Sequence, residues 1–234
     1  MDSPSNNPTV VLVHGAWADG SSWQRVIPYL LAKDVPVVAV QNPTTSLADD
    51  AAATRRALDA VQGPVVLVGH SWGGAMITEA GNDPKVKALV FVAAFAPKAG
   101  ETLGELVGAH PAPPALGKIA DDGTGFLKIG VQGWVEDVAN DLSEEEAHVL
   151  AVVQPPLAAS TFGDKVSTAA WETRPNWYLV SRQDRVVDIG LEREFARRMG
   201  AKTVELDAGH LSLLSKPDLV AATILDAVAA VVAG

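Results

Sequence analysis

Short runs of β-branched and aliphatic residues alternate with helical patterns along the chain, and this alternation constrains the fold more than any other feature. The runs are apolar on both faces, which is typical of parallel strands covered by helices on each side. They are Thr9–Val13, Val35–Val40, Val65–Val68, Ala88–Phe95, Asn176–Val180 and Lys202–Leu206. The helical patterns are Ser22–Ala32, Leu47–Val61, Trp72–Gly81, Leu191–Met199 and Asp218–Val232. Repeated strand–helix units predict an α/β protein with a doubly wound, mainly parallel, six-stranded sheet.

One interval, residues 96–175, breaks this alternation. A crossover between parallel strands needs only about a dozen residues, so the interval holds more than a connecting helix. Within it, Ser143 and Glu146 have the spacing of a capping box, which predicts a helix start. We interpret residues 96–175 as an inserted helical lid on a core of residues 1–95 and 176–234. A poorly ordered loop is the alternative.

Composition excludes several classes of protein and site. The absence of cysteine excludes disulfides, cysteine-bound metals and a thiol nucleophile. The net charge of −10, without a cluster of lysine and arginine, argues against nucleic acid as a partner. The stretch Met1–Pro8 lacks the basic and apolar regions of a secretory signal, and Leu219–Ala233 is too short for a membrane span. We therefore expect a cytoplasmic protein without membrane attachment.

The segment Gly69-His70-Ser71-Trp72-Gly73 directly follows a predicted strand and precedes a helical pattern. A serine nucleophile in this position must sit on a strained turn, so small residues are needed two positions to either side. The following helix directs its amides and the positive end of its dipole toward developing negative charge. This context predicts Ser71 as a nucleophile, with a purely structural turn as the alternative.

A second motif, His14-Gly15-Ala16-Trp17, follows the first predicted strand. An oxyanion hole needs two backbone donors from separate loops, one of them the amide after the nucleophile. We therefore expect the backbone amides of Ala16 and Trp72 to form it. The alternative is that Gly15 only allows a tight exit from the strand.

A serine nucleophile needs a general base, and histidine is the usual one near neutral pH. Among the five histidines, His210 lies just beyond the last predicted strand. Catalytic groups of open parallel sheets gather at the carboxyl ends of the strands, so His210 is the predicted base. The other histidines flank glycine turns or lie in the inserted segment, where scaffold or solvated positions are expected: His14, His70, His110 and His148.

The third member of such a site is a carboxylate that orients the imidazole. Asp184 follows the fifth predicted strand and gives the chain order Ser, Asp, His. Asp188 is the close competitor. Asp207 is too near His210 along the chain to face its ring easily.

These residues resemble the α/β-hydrolase superfamily, and within it the small esterases related to plant methylesterases and hydroxynitrile lyases. The resemblance spans almost the whole chain and rests on Val11–Trp17, Gly69–Gly74, Asp184 and Ala208–His210. It implies a six-stranded sheet with a lid inserted after the fourth strand. It also implies a serine carboxylic-ester hydrolase that works through an acyl-enzyme, without a metal or other cofactor.

One departure from the resemblance bears on the chemistry. In the hydroxynitrile lyases a lysine directly follows the residue equivalent to His210, whereas this chain has Leu211, which favours ester hydrolysis. Trp17, Trp134 and Phe162 are candidates to line a pocket for a small hydrophobic or aromatic ester. The alternatives are a lyase or C–C hydrolase on the same triad, or a non-enzymatic receptor for a small ligand. The expected partner is a small-molecule ester, and the sequence leaves a homodimer open.

Overall fold

A computed structural model describes residues 7–234, so most of the polar N-terminal stretch lies outside the described residues. The strands are β1 Thr9–Val13, β2 Val37–Ala39, β3 Val65–His70, β4 Val86–Val92, β5 Ile119–Asp121, β6 Phe126–Ile129, β7 Leu157–Ala158, β8 Asn176–Ser181 and β9 Lys202–Leu206. Six of them form a sheet in the order β2-β1-β3-β4-β8-β9. Every neighbouring pair in this sheet is parallel. The predicted doubly wound parallel sheet is confirmed.

Helices cover both faces of the central sheet. They are α1 Ile27–Leu31, α2 Leu47–Ala60, α3 Gly73–Ala80, α4 Leu103–Gly108, α5 Val131–Gly133, α6 Glu144–Val153, α7 Ile189–Met199, α8 Ser212–Ser215 and α9 Pro217–Ala233. Helices α2, α3 and α7 contribute to one hydrophobic cluster, and α1 and α9 to the other. Within residues 7–234, no helix has both the length and the apolar character needed to cross a bilayer.

Serine side chains cap two helix starts, one of them the start predicted at Ser143. The Ser46 hydroxyl accepts a hydrogen bond of 3.0 Å from the amide of Asp49 at the start of α2. The Ser143 hydroxyl accepts one of 3.3 Å from the amide of Glu146 at the start of α6. Such caps satisfy amides that have no partner within the helix, so local sequence sets where these helices begin.

The structure corrects two expectations about elements. The pattern Ser22–Ala32 is not one helix: a 3₁₀ turn spans Gly20–Trp23, and α1 follows separately. Pro28 lies in the first turn of α1, and a proline without an amide hydrogen starts a helix better than it continues one.

The inserted segment between β4 and β8 is not wholly helical. It contains α4, α5 and α6, but also the antiparallel sheet β5-β6-β7. These strands are two to four residues long. Runs this short carry no readable two-residue periodicity, which is why the sequence did not indicate them.

Replacing a buried leucine of the central strand tests the assigned core. Leu67 is fully buried in β3, and Leu67→Ala should reduce the free energy of unfolding by about 2–5 kcal/mol through lost burial and a residual cavity. Leu31, which is 55% exposed, provides the matched control, and Leu31→Ala should change stability by less than about 0.5 kcal/mol. Urea unfolding followed by circular dichroism measures both; equal losses would contradict this placement of the core.

Candidate active site

Ser71 occupies a strained turn between the end of β3 and the start of α3. Its φ is 51°, in the left-handed region that residues with a Cβ avoid. The strain is held by backbone hydrogen bonds: the Ser71 amide donates to Val92 O at 3.2 Å, and the Phe95 amide donates to Ser71 O at 3.1 Å. Strain of this kind persists only where surrounding structure imposes it, and it clusters at functional sites.

The glycines around Ser71 are required by close backbone approach. A Cβ on Gly69 would lie 2.6 Å from the carbonyl oxygen of Gly73. A Cβ on Gly73 would lie 2.5 Å from the carbonyl oxygen of Val13. A Cβ on Gly74 would lie 2.2 Å from the carbonyl oxygen of Phe95, just beyond β4. Any larger residue at these positions would force the turn open, as the sequence motif predicts.

The loop after β1 packs directly on this turn. A Cβ on Gly15 would lie 2.9 Å from the Cβ of Ser71. The loop is held by His14, whose Nε2 accepts a hydrogen bond of 2.9 Å from the Asn42 amide. Its Nδ1 therefore carries the proton and donates to Gly15 O at 2.8 Å. Burial lowers the pKa of His14, which keeps this ring neutral.

Two backbone amides at this place have no partner among the described residues: those of Ala16 and Trp72 donate to no other group of residues 7–234. Because a planar trans peptide points its C=O and N–H in opposite directions, the His14 bond to Gly15 O directs the Ala16 N–H away from His14. Ala16, Trp72 and Ser71 all line the same cavity. The arrangement can offer donors to a substrate oxygen near Ser71.

His210 and Asp184 form a direct hydrogen bond. The Nδ1 of His210 lies 2.6 Å from Oδ2 of Asp184, and both side chains are buried. The other carboxylate oxygen of Asp184 accepts the amides of Val186 at 2.7 Å and Val187 at 2.9 Å. Burial alone would raise the pKa of Asp184, but the His210 charge and these hydrogen bonds outweigh it and lower the pKa. Asp184 is therefore ionised at neutral pH.

The link between Ser71 and the pair of His210 and Asp184 is His70, which directly precedes Ser71 in the chain. His70 Nε2 donates to the carbonyl oxygen of His210 at 3.0 Å, and the two rings lie 4.7 Å apart. Burial, followed by the His210 charge, lowers the pKa of His70 to about 3, so His70 is a neutral support. The hydrogen bonds of the His70 and His210 rings within residues 7–234 go to His210 O and Asp184, not to the Ser71 hydroxyl. The structure thus joins His210 to Asp184 directly, and Ser71 directly follows His70, whose ring contacts His210.

The competing carboxylates lie elsewhere. Asp188 caps α7 by accepting the Leu191 amide at 3.1 Å, and it faces His110 at 3.4 Å. Asp207 accepts a hydrogen bond of 2.8 Å from the side chain of Gln183. In the part of the chain that the structure describes, Asp184 is the carboxylate bonded to His210.

The cavity beside Ser71 is almost entirely apolar. Trp17 and Phe162, two of the three predicted pocket residues, line it. Trp134 does not: it lines a neighbouring cavity that shares Trp17. The remaining walls are mainly aliphatic and come largely from the inserted segment: Phe95, Leu103, Val107, Ala115, Leu116, Ile119, Ile129, Leu157, Thr161 and Val186.

One residue against the site was missed by the sequence analysis. Glu192 of α7 is fully buried, and one of its carboxyl oxygens accepts the Ser181 amide at 3.0 Å. Burial, and then the nearby Asp184 charge, raise the pKa of Glu192 well above its ordinary value. The helical pattern could have indicated that Glu192 is buried, because Glu192 shares a face of α7 with Ala196 and Met199.

Comparisons with known proteins agree with this architecture. A model of the alpha/beta hydrolase family matches residues 10–223. A protein of a Phoma species, named a probable hydrolase, is 27% identical over an alignment of 234 positions that covers 90% of this chain and 94% of that protein. Lipase LipV of Mycobacterium tuberculosis is 26% identical over an alignment of 258 positions that covers 94% of this chain and 93% of the lipase.

A similarity in structure extends over nearly the whole fold. The crystal structure of polyneuridine aldehyde esterase superimposes with a TM-score of 0.81 and covers 94% of this chain and 99% of its own. Its sequence identity is 21%, so this similarity shows the shared fold.

The pKa of Glu192 predicts a pH-dependent effect on stability. The folded state retains the proton to higher pH than the unfolded state, so the wild type should lose stability as pH rises above the ordinary glutamate pKa. Glu192→Gln cannot ionise. It should match the wild type near pH 4.5 and become more stable than the wild type by pH 8. Each kcal/mol gained in the free energy of unfolding should raise Tm by about 2–4 °C.

Thermal unfolding from pH 4.5 to 8 measures this difference. Glu145→Gln, at an exposed position of α6, is the matched control and should show no pH-dependent gain. A difference between Glu192→Gln and wild type that stays constant with pH would contradict a neutral Glu192.

Proposed function

The chain belongs to the α/β-hydrolase family and is a hydrolase, and on that premise we propose that it is a serine esterase for small hydrophobic or aromatic carboxylic esters. The observation that carries the proposal is the buried bond of 2.6 Å between His210 and Asp184, a pair that the residue directly before Ser71 contacts. A base oriented by a carboxylate near a serine hydroxyl on a strained turn is the arrangement that nucleophilic catalysis by serine needs.

The first half of the reaction forms an acyl-enzyme. His210 Nε2 takes the hydroxyl proton of Ser71 as Oγ attacks the ester carbonyl carbon, and the carbonyl π electrons move to the oxygen. The amides of Ala16 and Trp72 donate to this oxyanion, while Asp184 stabilises the imidazolium. The intermediate then collapses, and the alcohol leaves with the proton from His210.

The second half regenerates the enzyme. His210 removes a proton from water, whose oxygen attacks the acyl carbon, and the acid departs as Ser71 recovers its proton. The first step requires the Ser71 hydroxyl to meet His210 Nε2. Catalytic hydrogen bonds commonly tighten only once substrate is bound, so their looser form in the free protein is compatible with this mechanism.

The cavity supports the choice of substrate. Its described wall carries no charged side chain, and its polar side chains are Ser71, Thr161 and the indoles of Trp17 and Trp72. Burying a charged group there without a partner would be costly, which favours a neutral ester with apolar acyl or alcohol groups. The names of the similar proteins, a lipase and an esterase among them, agree with ester hydrolysis.

Removing the proposed nucleophile gives the first test. Ser71→Ala should lower kcat for p-nitrophenyl acetate and butyrate at least 10³-fold, because no acyl-enzyme can form. A fluorophosphonate should label wild type at Ser71, located by mass spectrometry, and leave Ser71→Ala unlabelled. Equal hydrolysis by both proteins would remove Ser71 from the mechanism.

Two other functions would be recognised by different measurements. Cyanide release from mandelonitrile without esterase activity would assign a lyase, although the residue after His210 is the buried Leu211. Thermal stabilisation by a small ligand, with negligible turnover of any ester, would assign a receptor.

The carboxylate is tested with a matched pair of aspartates. Asp184→Asn should lower kcat about 10³–10⁴-fold, because the amide cannot hold the tautomer or stabilise the imidazolium. Asp188→Asn should stay within about threefold of wild type, since asparagine also caps helices and residue 188 lies away from His210. Steady-state kinetics on p-nitrophenyl butyrate compares them. The assignment is wrong if Asp188→Asn proves the more damaging change.

A further inference from the structure

The loops that carry Asp184 and His210 extend beyond the sheet. β8 ends at Ser181 and β9 ends at Leu206, so both residues lie past the last strand bond. The loops are tied to one another, because the Gln183 amide donates to the carbonyl oxygen of Ala208 at 2.9 Å. Contacts from elsewhere must hold the pair of loops against the rest of the protein.

His70 of β3 makes one such contact, with the carbonyl oxygen of His210, and three side chains of the inserted segment make others. Asp141 Oδ2 accepts the amide of Gly209 at 2.7 Å, directly before His210. Asn140 Nδ2 donates to the carbonyl oxygen of Gln183 at 3.0 Å, directly before Asp184. We call Asp137, Asn140 and Asp141 the clamp.

The third clamp residue acts from the other side of Asp184. Asp137 is fully buried, and it accepts a hydrogen bond of 2.7 Å from Arg185 Nε, directly after Asp184. Lys118 Nζ lies 2.8 Å from the second oxygen of Asp137. Asp137 is buried, while the side chains of Arg185 and Lys118 are 47% and 30% exposed, so these ion pairs add little net stability. Losing the cations would nevertheless leave the buried charge of Asp137 unpaired, which favours the observed geometry.

The clamp also explains why residue 209 is glycine. A Cβ there would lie 2.2 Å from Oδ1 of Asn140 and 2.8 Å from Oδ1 of Asp141. These two oxygens have no hydrogen-bond partner within the described chain, so their approach to Gly209 is set by the bond to its amide and by packing. The contact exists only because the loop has no side chain at this point.

We propose that Asn140 and Asp141 are positioning residues of the active site, through which the inserted segment holds His210 and Asp184 in register with Ser71. This role rests on the proposed esterase function for its effect on rate, but the geometry it maintains can be measured without turnover. The inserted segment then does two things at once, since it also supplies most of the cavity wall.

Substitutions at Asp141 separate positioning from folding. Asp141→Ala removes the acceptor for the Gly209 amide and should lower kcat for p-nitrophenyl butyrate about 10–100-fold with KM within about threefold, because displacement of about 1 Å can cost 10²-fold in rate. Asp141→Asn keeps an oxygen acceptor and should restore kcat to within about threefold of wild type. Glu145→Ala, exposed in the same segment, is the matched control.

A second variant approaches the same contact from the other partner. Gly209→Ala should push the loop off the clamp and lower kcat to a similar extent without changing Asp141. Thermal unfolding of each variant identifies the temperature range in which it is fully folded, and all rates are measured there.

The hydrogen bond between His210 Nδ1 and Asp184 gives a readout independent of catalysis. In ¹⁵N-histidine-labelled protein its proton should give a downfield ¹H resonance, which Asp141→Ala and Gly209→Ala should broaden or shift and Asp141→Asn should preserve. Folded Asp141→Ala with wild-type kcat and an unchanged resonance would overturn the proposal. Wild type without Ser71-dependent turnover would refute the esterase function instead, and the resonance alone would then decide the positioning role.

Discussion

Close backbone packing around Ser71 is the constraint on which the rest of the site depends. The turn after β3 touches the loop after β1, the start of α3 and the residues beyond β4, with no room for a Cβ at Gly69, Gly73 or Gly74. Three chain segments thus converge on one hydroxyl. Because each contact is backbone to backbone, the positive φ of Ser71 is imposed by the core and does not depend on flexible side chains.

Burial then determines which groups near this turn can carry charge. His14 and His70 are held neutral by burial, and Glu192 is held in its protonated form. Asp184 stays ionised in the same environment because it faces His210 and two backbone amides. A buried charge persists only where it is paired and hydrogen-bonded, and Asp184 has both kinds of partner.

The inserted segment is the part of the protein that sequence patterns described least well. Its helix α6 and the cap at Ser143 were predictable, because capping depends on a few consecutive residues. Its small antiparallel sheet and its contacts with Gln183 and Gly209 were not. Those features depend on how distant segments pack, and neither composition nor periodicity carries that information.

The sequence by itself determined the alternation of strands and helices, and it indicated where Ser71, Asp184 and His210 fall relative to strand ends. These are local properties: side-chain periodicity and the steric demands of a tight turn act within a few residues. Only the tertiary structure decided that Asp184 rather than Asp188 meets His210, and that Phe162 rather than Trp134 joins the cavity. Those outcomes depend on packing between segments far apart in the chain, where a shift of a few ångströms exchanges one neighbour for another.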